Sequence, residues 1–437
     1  MRFFAAILLS LTLTAPAHAE VDIQAVTSPG RTTAWLVEEH SLPFVALELS
    51  FRGGTSLDAP GKRGATNLMM GLIEEGAADL DAREFARATE AMATSFGFSA
   101  GSEDVTISAR FLTENFDASV ELLRKALQEP RFDPADVERV RAQVISGITF
   151  ELKDPGDIAS AAFAAATYGD HPYGTPEQGT LESVAALTRD DIVAAHRAVL
   201  ARDRVLFSAV GDITPEQLGV LIDTLLGALP ETGAPMPPKI EPQIPPGVTV
   251  IDFDTPQSVA LFGQSGIGID DPDYFAAVLL NQILGGGSFE SRLMTEVREK
   301  RGLTYGVYSY LWPRDLAATY MGSVSSANDR IGQAIEVIRD EWEKAATQGV
   351  TENELRDAKT YLTGAYPLRF DGNSTIASIL VGMQMIGLTP EYVKTRNELV
   401  EAVTLEDVKR VAGELLDPEA LHFVVVGRPV GLETTTE

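Results

Sequence analysis

Val45, Leu47, Leu49 and Phe51 alternate with other residues, and so do Val105, Ile107, Ala109 and Phe111. A two-residue period puts alternate side chains on one face of a sheet, so both runs predict half-buried strands. Between them the period lengthens. Leu68, Met69, Leu72 and Ile73 fall on one helical face, and Asp81 with Glu84 three residues on predicts a second, capped helix. Helical spacing also covers residues 114–127, 134–148 and 157–167. Strands mixed with several helices in succession predict α+β layers rather than a doubly wound parallel sheet.

The chain divides at residues 230–246, where seven of 17 residues are proline. Such a stretch excludes a helix or a central strand and predicts a semi-rigid extended spacer. The two sides of it read as copies. Thr188, Asp191, Leu200, Phe207, Val210 and Gly211 recur 216 residues later as Thr404, Asp407, Leu416, Phe423, Val426 and Gly427. Each copy predicts a Thr-capped amphipathic helix followed by a buried strand ending in Gly. Val45-Ala46-Leu47 matches Val259-Ala260-Leu261 at a shift of 214. Two long units at nearly one shift predict a duplicated domain rather than a solenoid.

Composition narrows the setting. Met1-Arg2, the apolar run from Phe3 to Leu13 and the small residues of Ala17-His18-Ala19 predict a signal peptide over 1–19, cleaved before Glu20. Periplasmic or secreted location is therefore expected, with no transmembrane segment, because no later run is long and apolar enough. There are no cysteines, which excludes disulfides, thiolate metal sites and cysteine nucleophiles. Without Arg2, 34 Lys and Arg stand against 63 Asp and Glu, a net charge of −29. That charge argues against nucleic acid as a partner. Neither a phosphate-binding Gly-x-x-x-x-Gly-Lys loop nor a Gly-x-Ser-x-Gly elbow is present.

Three stretches carry a resemblance. Leu284-Gly285-Gly286-Gly287-Ser288-Phe289-Glu290-Ser291-Arg292-Leu293, followed by Glu296-Val297-Arg298-Glu299-Lys300-Arg301-Gly302-Leu303-Thr304-Tyr305, resembles the second-domain signature of the pitrilysin- and insulinase-type zinc peptidases, family M16. His171-Pro172-Tyr173-Gly174, leading into Leu187-Thr188, resembles an element late in that family's first domain. Gly53-Gly54-Thr55-Ser56-Leu57-Asp58 before Gly64 resembles the approach to its zinc helix. With the duplication and the proline stretch, the resemblance spans essentially all of 20–437. It implies two homologous α+β domains, over 20–229 and 247–437, each a mostly antiparallel sheet packed with helices, of the LuxS/MPP-like metallohydrolase type.

An active member of that family carries His-x-x-Glu-His on one helix. The two His bind zinc, the Glu acts as base on a zinc-bound water, and a second Glu downstream completes the site. Here Asn67 and Gly71 stand in place of the two His, Met70 in place of the base, and Ile148 at the distance expected for the last ligand. A thioether and an aliphatic chain at those positions make the pocket apolar, which disfavours a divalent cation. His40, His171, His196 and His422 are isolated in sequence and read as surface or hydrogen-bonded structural residues. No metal is expected in this chain.

Arg298 and Tyr305 are retained. The resemblance implies that an Arg and a Tyr at this spacing lie across the cavity from the zinc and contact substrate. Both side chains donate hydrogen bonds, and both can stabilise charge building on a scissile carbonyl oxygen. Spacing alone favours plainer readings, with Arg298 a solvated helix charge and Tyr305 a strand aromatic in the core. Residues 94–101, including Phe96, Gly97, Phe98 and Ser99, lie where the family places an edge strand that pairs with the substrate backbone. They read equally as a turn before the Val105 strand. Gly285, Gly286 and Gly287 give close backbone approach or hinge freedom, or simply turn a helix; in family members such a loop touches the substrate.

In two-chain members, one subunit carries the zinc motif and the other carries the Arg/Tyr pair. The chain is therefore expected to be a non-catalytic subunit, paired as a heterodimer with a zinc-bearing homologue around a peptide substrate, its two domains closing like a clam. A stand-alone peptide-binding or chaperone-like module and a structural subunit of an envelope complex are the alternatives.

Overall fold

The computed structural model describes residues 21–287 and 289–435, so the expected signal peptide lies outside the described residues. The first half holds β1 (Gln24–Thr27), β2 (Thr33–Glu38) and β3 (Phe44–Arg52). A short ribbon of β4 (Gly76–Ala77) and β5 (Leu80–Asp81) follows, then β6 (Ser95–Ala100), β7 (Asp104–Leu112) and β8 (Val205–Gly211). The second half holds β9 (Gly247–Asp252), β10 (Gln257–Ser265), β11 (Val307–Pro313), β12 (Ala318–Ala327) and β13 (His422–Gly427). The sheets run in the order β1-β2-β8-β3-β7-β6 and β9-β13-β10-β12-β11. Position for position, β2-β8-β3-β7-β6 is repeated as β9-β13-β10-β12-β11. The only parallel pairs among the described residues, β2–β8 and β9–β13, are equivalent too. The same capping box opens the helix before β8 and before β13. Asp191 accepts from Thr188 N at 2.8 Å, and Asp407 accepts from Thr404 N at 2.9 Å.

Two local expectations need correction. Val45, Leu47, Leu49 and Phe51 face the first core, but the core-facing residues of β10 are Ser258, Ala260, Phe262 and Gln264. The shared string Val-Ala-Leu is thus one residue out of structural register, and a one-residue slip reverses the faces. The helix bearing Leu68 and Met69 is also shorter than its pattern, spanning Ala65–Met70 with Gly71 as its C-cap. Leu72 and Ile73 are buried beyond its end.

Each half covers the other's sheet. Helix Pro155–Tyr168 of the first half packs on β10 and β13, burying Ala159 and Phe163 against Met321, Val424 and Val426. Helix Asn373–Met385 of the second half packs on β3 and β8, burying Ala377, Leu380 and Met383 against Trp35, Ala46 and Val210. Ser208 Oγ donates to the Ala377 carbonyl at 2.7 Å across this contact. The 230–246 stretch has no helix or strand, but it is no free spacer. Ala234 N donates to Ala198 O at 2.9 Å, Ile240 N to Leu316 O at 2.8 Å, and Gln243 N to Thr167 O at 3.0 Å. Exchanged helices and a tethered connection make the halves one packed body.

Candidate functional site

The degenerate zinc positions sit on the short helix Ala65–Met70 and on helix Pro134–Glu151. Asp58 fixes the first of these. It accepts from Gly64 N and Thr66 N, each at 2.8 Å, and from the Thr66 hydroxyl at 2.7 Å. Burial raises the Asp58 carboxyl above its ordinary range, and these donors work against that rise. Met70 is 2% exposed and belongs to the first hydrophobic core. Gly71 carries no side chain, and Ile148 is buried and aliphatic. Of the four positions, Asn67 alone has a side-chain nitrogen or oxygen. Zinc needs three or four such ligands, so the donor set does not fit the metal. Among the described residues, no group of three or more His, Cys, Asp or Glu could hold a metal ion. The histidines are separate, with His196 bonded to Leu127 O at 2.8 Å and His422 fully buried against Phe163.

The same helix in the second half, Tyr274–Leu284, explains the pattern. Asn67, Met70 and Gly71 correspond to Asn281, Leu284 and Gly285. Gly71 N donates to Asn67 O at 3.2 Å, and Gly285 N to Asn281 O at 2.9 Å. Met70 and Leu284 are both buried. The first helix has the chemistry of its counterpart.

Residues 94–101 form an edge strand. β6 pairs with β7 alone, Phe96 opposite Ala109 and Phe98 opposite Ile107. Phe96 and Phe98 pack against the core, so Ser95, Gly97 and Ser99 take the other face. Among the described residues, no backbone group of β6 bonds outside β7. Its outer row of N–H and C=O groups is open, as strand addition requires.

Arg298 lies on the π-helical turn Met294–Glu299, whose Met294 and Val297 are buried. Its acidic neighbour Glu296 is engaged by Lys300 at 2.6 Å and Arg301 at 2.7 Å. The Arg298 guanidinium instead lies 4.8 Å over the Phe289 ring, without an ion pair among the described residues. Tyr305 is 88% exposed, on a bend just before β11. It is not a core aromatic. Gly285 O accepts from Ser309 N of β11 at 2.8 Å, and Ser309 Oγ donates to Asn281 Oδ1 at 2.9 Å. The glycine run therefore ties the helix end to the edge of the second sheet. Gly287, with φ of 86°, makes the turn that follows, and Gly286 is partly buried.

No direct contact joins these groups across the two halves among the described residues. Every hydrogen bond and ring contact of residues 289–306 lies within the second half, and none links Arg298 or Tyr305 to Asn67, Met70, Gly71 or Ile148 among the described residues. Ile148 instead lines a cavity of about 810 Å³ between the halves. The opposite wall is the outer face of the second sheet, where Tyr310 and Trp312 stand off β11.

At one end of the cavity the 313–316 turn enters the first half. The Arg314 guanidinium lies 3.8 Å from the Tyr173 ring centroid, 4.1 Å from that of Trp312 and 4.8 Å from that of Tyr168. Asp315 pairs with Arg52 at 2.9 Å, and its N–H donates to Glu103 at 2.6 Å. The Tyr173 hydroxyl also donates to Glu103. Burial, with the Asp315 charge nearby, pushes Glu103 up to about 7. Sequence reasoning expected a cavity between the domains but missed the residues that line this one and its latch. Alternation of Tyr308, Tyr310 and Trp312 was the available signal.

Comparison with known proteins agrees. Residues 34–180 match the family model described as Insulinase (Peptidase family M16), and residues 186–362 that described as Peptidase M16 inactive domain. A non-peptidase homolog, YmxG, of Helicobacter pylori is 26% identical over 395 residues, covering 89% of this chain and 90% of that protein. An uncharacterized zinc protease of Streptomyces coelicolor is 26% identical, covering 83% of this chain and 80% of that protein. A crystal structure of a peptidase M16 inactive domain from Pseudomonas fluorescens superposes with a TM-score of 0.87 at 29% identity, covering 95% of this chain and all of that one. The chain belongs to peptidase family M16, as a member whose first domain lacks the His-x-x-Glu-His site.

Proposed function

We propose that this protein is the non-catalytic subunit of a periplasmic zinc peptidase, pairing with a zinc-bearing homologue and supplying Arg298 and Tyr305 to a composite peptide-cleaving site. The observation that carries this reading is an asymmetry. The zinc positions hold half-buried Asn67, buried Met70, exposed Gly71 and buried Ile148, a set without metal ligands, while Tyr305 stands 88% exposed and Arg298 has no carboxylate partner among the described residues. A phenol and a guanidinium left unsatisfied at a surface are suited to donate to an oxyanion held by another chain. The open edge of β6 supports a peptide laid alongside as an added strand.

The test is reconstitution. The chain and a homologue from the same organism containing His-x-x-Glu-His are purified separately, and peptide cleavage is followed for each alone and for the mixture. The expected result is EDTA-sensitive cleavage in the mixture well above that of the homologue alone, and none from this chain. Cleavage by this chain alone, or no gain on mixing, contradicts the proposal. The cavity between the halves favours a second reading, a peptide-binding module that acts without a partner.

A further inference from the structure

Helix Asn373–Met385, which crosses from the second half onto the first sheet, contains no charged or titratable residue. Beneath it β3 turns Ala46, Glu48, Ser50 and Arg52 outward, away from the first core. Three of these hold the helix in place. Ala46 packs on it, and Ser50 Oγ lies 3.6 Å from Met385 Sδ. The Arg52 guanidinium donates to the Gln384 carbonyl at 3.1 Å and to that of Met385, which suits a cation at the end of a helix. Glu48 is the exception. It is 9% exposed and stands opposite Ser208, whose hydroxyl already donates to Ala377 O.

No hydrogen bond or ion pair engages the Glu48 carboxyl among the described residues. The elements around it offer no counter-charge. β8 and the covering helix carry none. On β7 stands Asp104, an acid itself, which accepts from the hydroxyls of Ser50 at 2.6 Å and Thr106 at 2.9 Å. Arg110 of β7 is exposed and pairs with Ala46 in the ladder, and Arg52 is held by Asp315 at 2.9 Å and by the helix carbonyls. An ionised carboxylate in this place loses its water and gains nothing for it. Burial first, and the Asp104 charge second, push Glu48 up to about 7.

We propose that Glu48 is a proton-operated clasp: the helix Asn373–Met385 docks on the first sheet while Glu48 is protonated and is released as Glu48 ionises. With the helix docked, the carboxyl keeps its proton up to about pH 7; with the helix lifted and water admitted, it ionises near 4.5. Between those values the docked state holds a proton that the released state gives up. Docking is therefore strongest below pH 4.5, weakens as pH rises through 7, and is flat above it. The clasp needs no partner subunit and makes no use of Arg298 or Tyr305.

Hydrogen exchange of the whole chain, read by mass spectrometry at pH 5 and pH 7.5 and corrected for the intrinsic pH dependence of amide exchange, tests this. Peptides from 373–385 are expected to lose at least about tenfold in protection between the two pH values. Helix Ile331–Gln348, which packs within the second half, is the reference and should change less than about twofold. Glu48→Gln keeps the shape of the side chain and cannot ionise, so protection of 373–385 should be equal at both pH values. Asp104→Asn removes the like charge while keeping an acceptor for Ser50 and Thr106, and should shrink the loss. If Glu48→Gln does not fold, the Asp104→Asn result decides. Glu103→Gln, which touches the 313–316 turn rather than the helix, should leave most of the loss in place. Unchanged protection of 373–385 between the two pH values, an undiminished loss in Glu48→Gln or Asp104→Asn, or an equal loss in 331–348 overturns the proposal. So does abolition of the loss by Glu103→Gln, which would place the titrating group at the latch.

Discussion

β6 and β11 hold the same place in equivalent sheets, yet the side chains they turn outward differ completely. On β6 these are Ser95, Gly97 and Ser99, beside an outer backbone row with no partner among the described residues. On β11 they are Tyr308, Tyr310 and Trp312, and the backbone edge is tied at Ser309 to the glycine run. Small side chains over a free edge suit the approach of another backbone. Aromatic rings over a pinned edge suit the binding of side chains. One duplicated frame has thus diverged at its edges while its strand order stayed the same. The helix beside β6 shows the opposite trend, since Asn67, Met70 and Gly71 match the second-half residues Asn281, Leu284 and Gly285.

The reciprocal packing of the halves is the most sensitive part of this frame. Phe163→Ala, which empties the contact on β10 and β13, is expected to cost about 3–5 kcal/mol in denaturant unfolding, with Leu380→Ala on the opposite contact costing about 2–5. A large asymmetry between the two would mean that one exchanged helix alone holds the halves together. Met70→Glu comes next. It returns the residue type that active relatives use, but at a site packed as core, and should cost about 2–3 kcal/mol. The loss should be greater at pH 8 than at pH 5, because a buried carboxyl keeps its proton at the lower pH. Leu284→Glu should behave alike if the two helices have become equivalent.

The smallest effect is expected at the latch. Glu103 titrates at about 7 in the folded chain and near 4.5 ordinarily. Between those values the folded state holds a proton that the unfolded chain releases. The stability contribution is therefore present below pH 4.5 and is lost as pH rises through 7. Glu103→Gln keeps an oxygen for Asp315 N and the Tyr173 hydroxyl. It should flatten the fall in thermal midpoint between pH 5 and pH 8, and an unchanged slope would remove Glu103 from this role.

Much of the frame was legible because its signals are local. A Thr cap with Asp three residues on, an alternating strand and a proline-rich connection announce themselves within a few residues, so the duplication and its two sheets could be read directly. The Val-Ala-Leu match misled because both faces of β10 are buried. Helix Pro155–Tyr168 covers Leu261, while Gln264 sits in the core, accepting from Trp342 Nε1 at 2.7 Å. Apolar character then stops marking the inner face. The replacement of the zinc-binding residue types was legible as chemistry, because it depends only on residue type. The exposure of Tyr305 and the lining of the cavity were not. They depend on contacts such as Phe163 with Val424 or Arg314 with Tyr168, which join residues far apart in the chain.

The central claim is that Arg298 and Tyr305 act on a substrate held by a second subunit. Its most direct test is the rate of peptide cleavage by the reconstituted pair carrying Arg298→Ala or Tyr305→Phe, with thermal unfolding of the chain measured alongside. Tyr305 is solvent-exposed, so its substitution should leave the unfolding midpoint unchanged while kcat falls by about 10²–10³. A pair that cleaves at the unsubstituted rate with both residues replaced would contradict the claim.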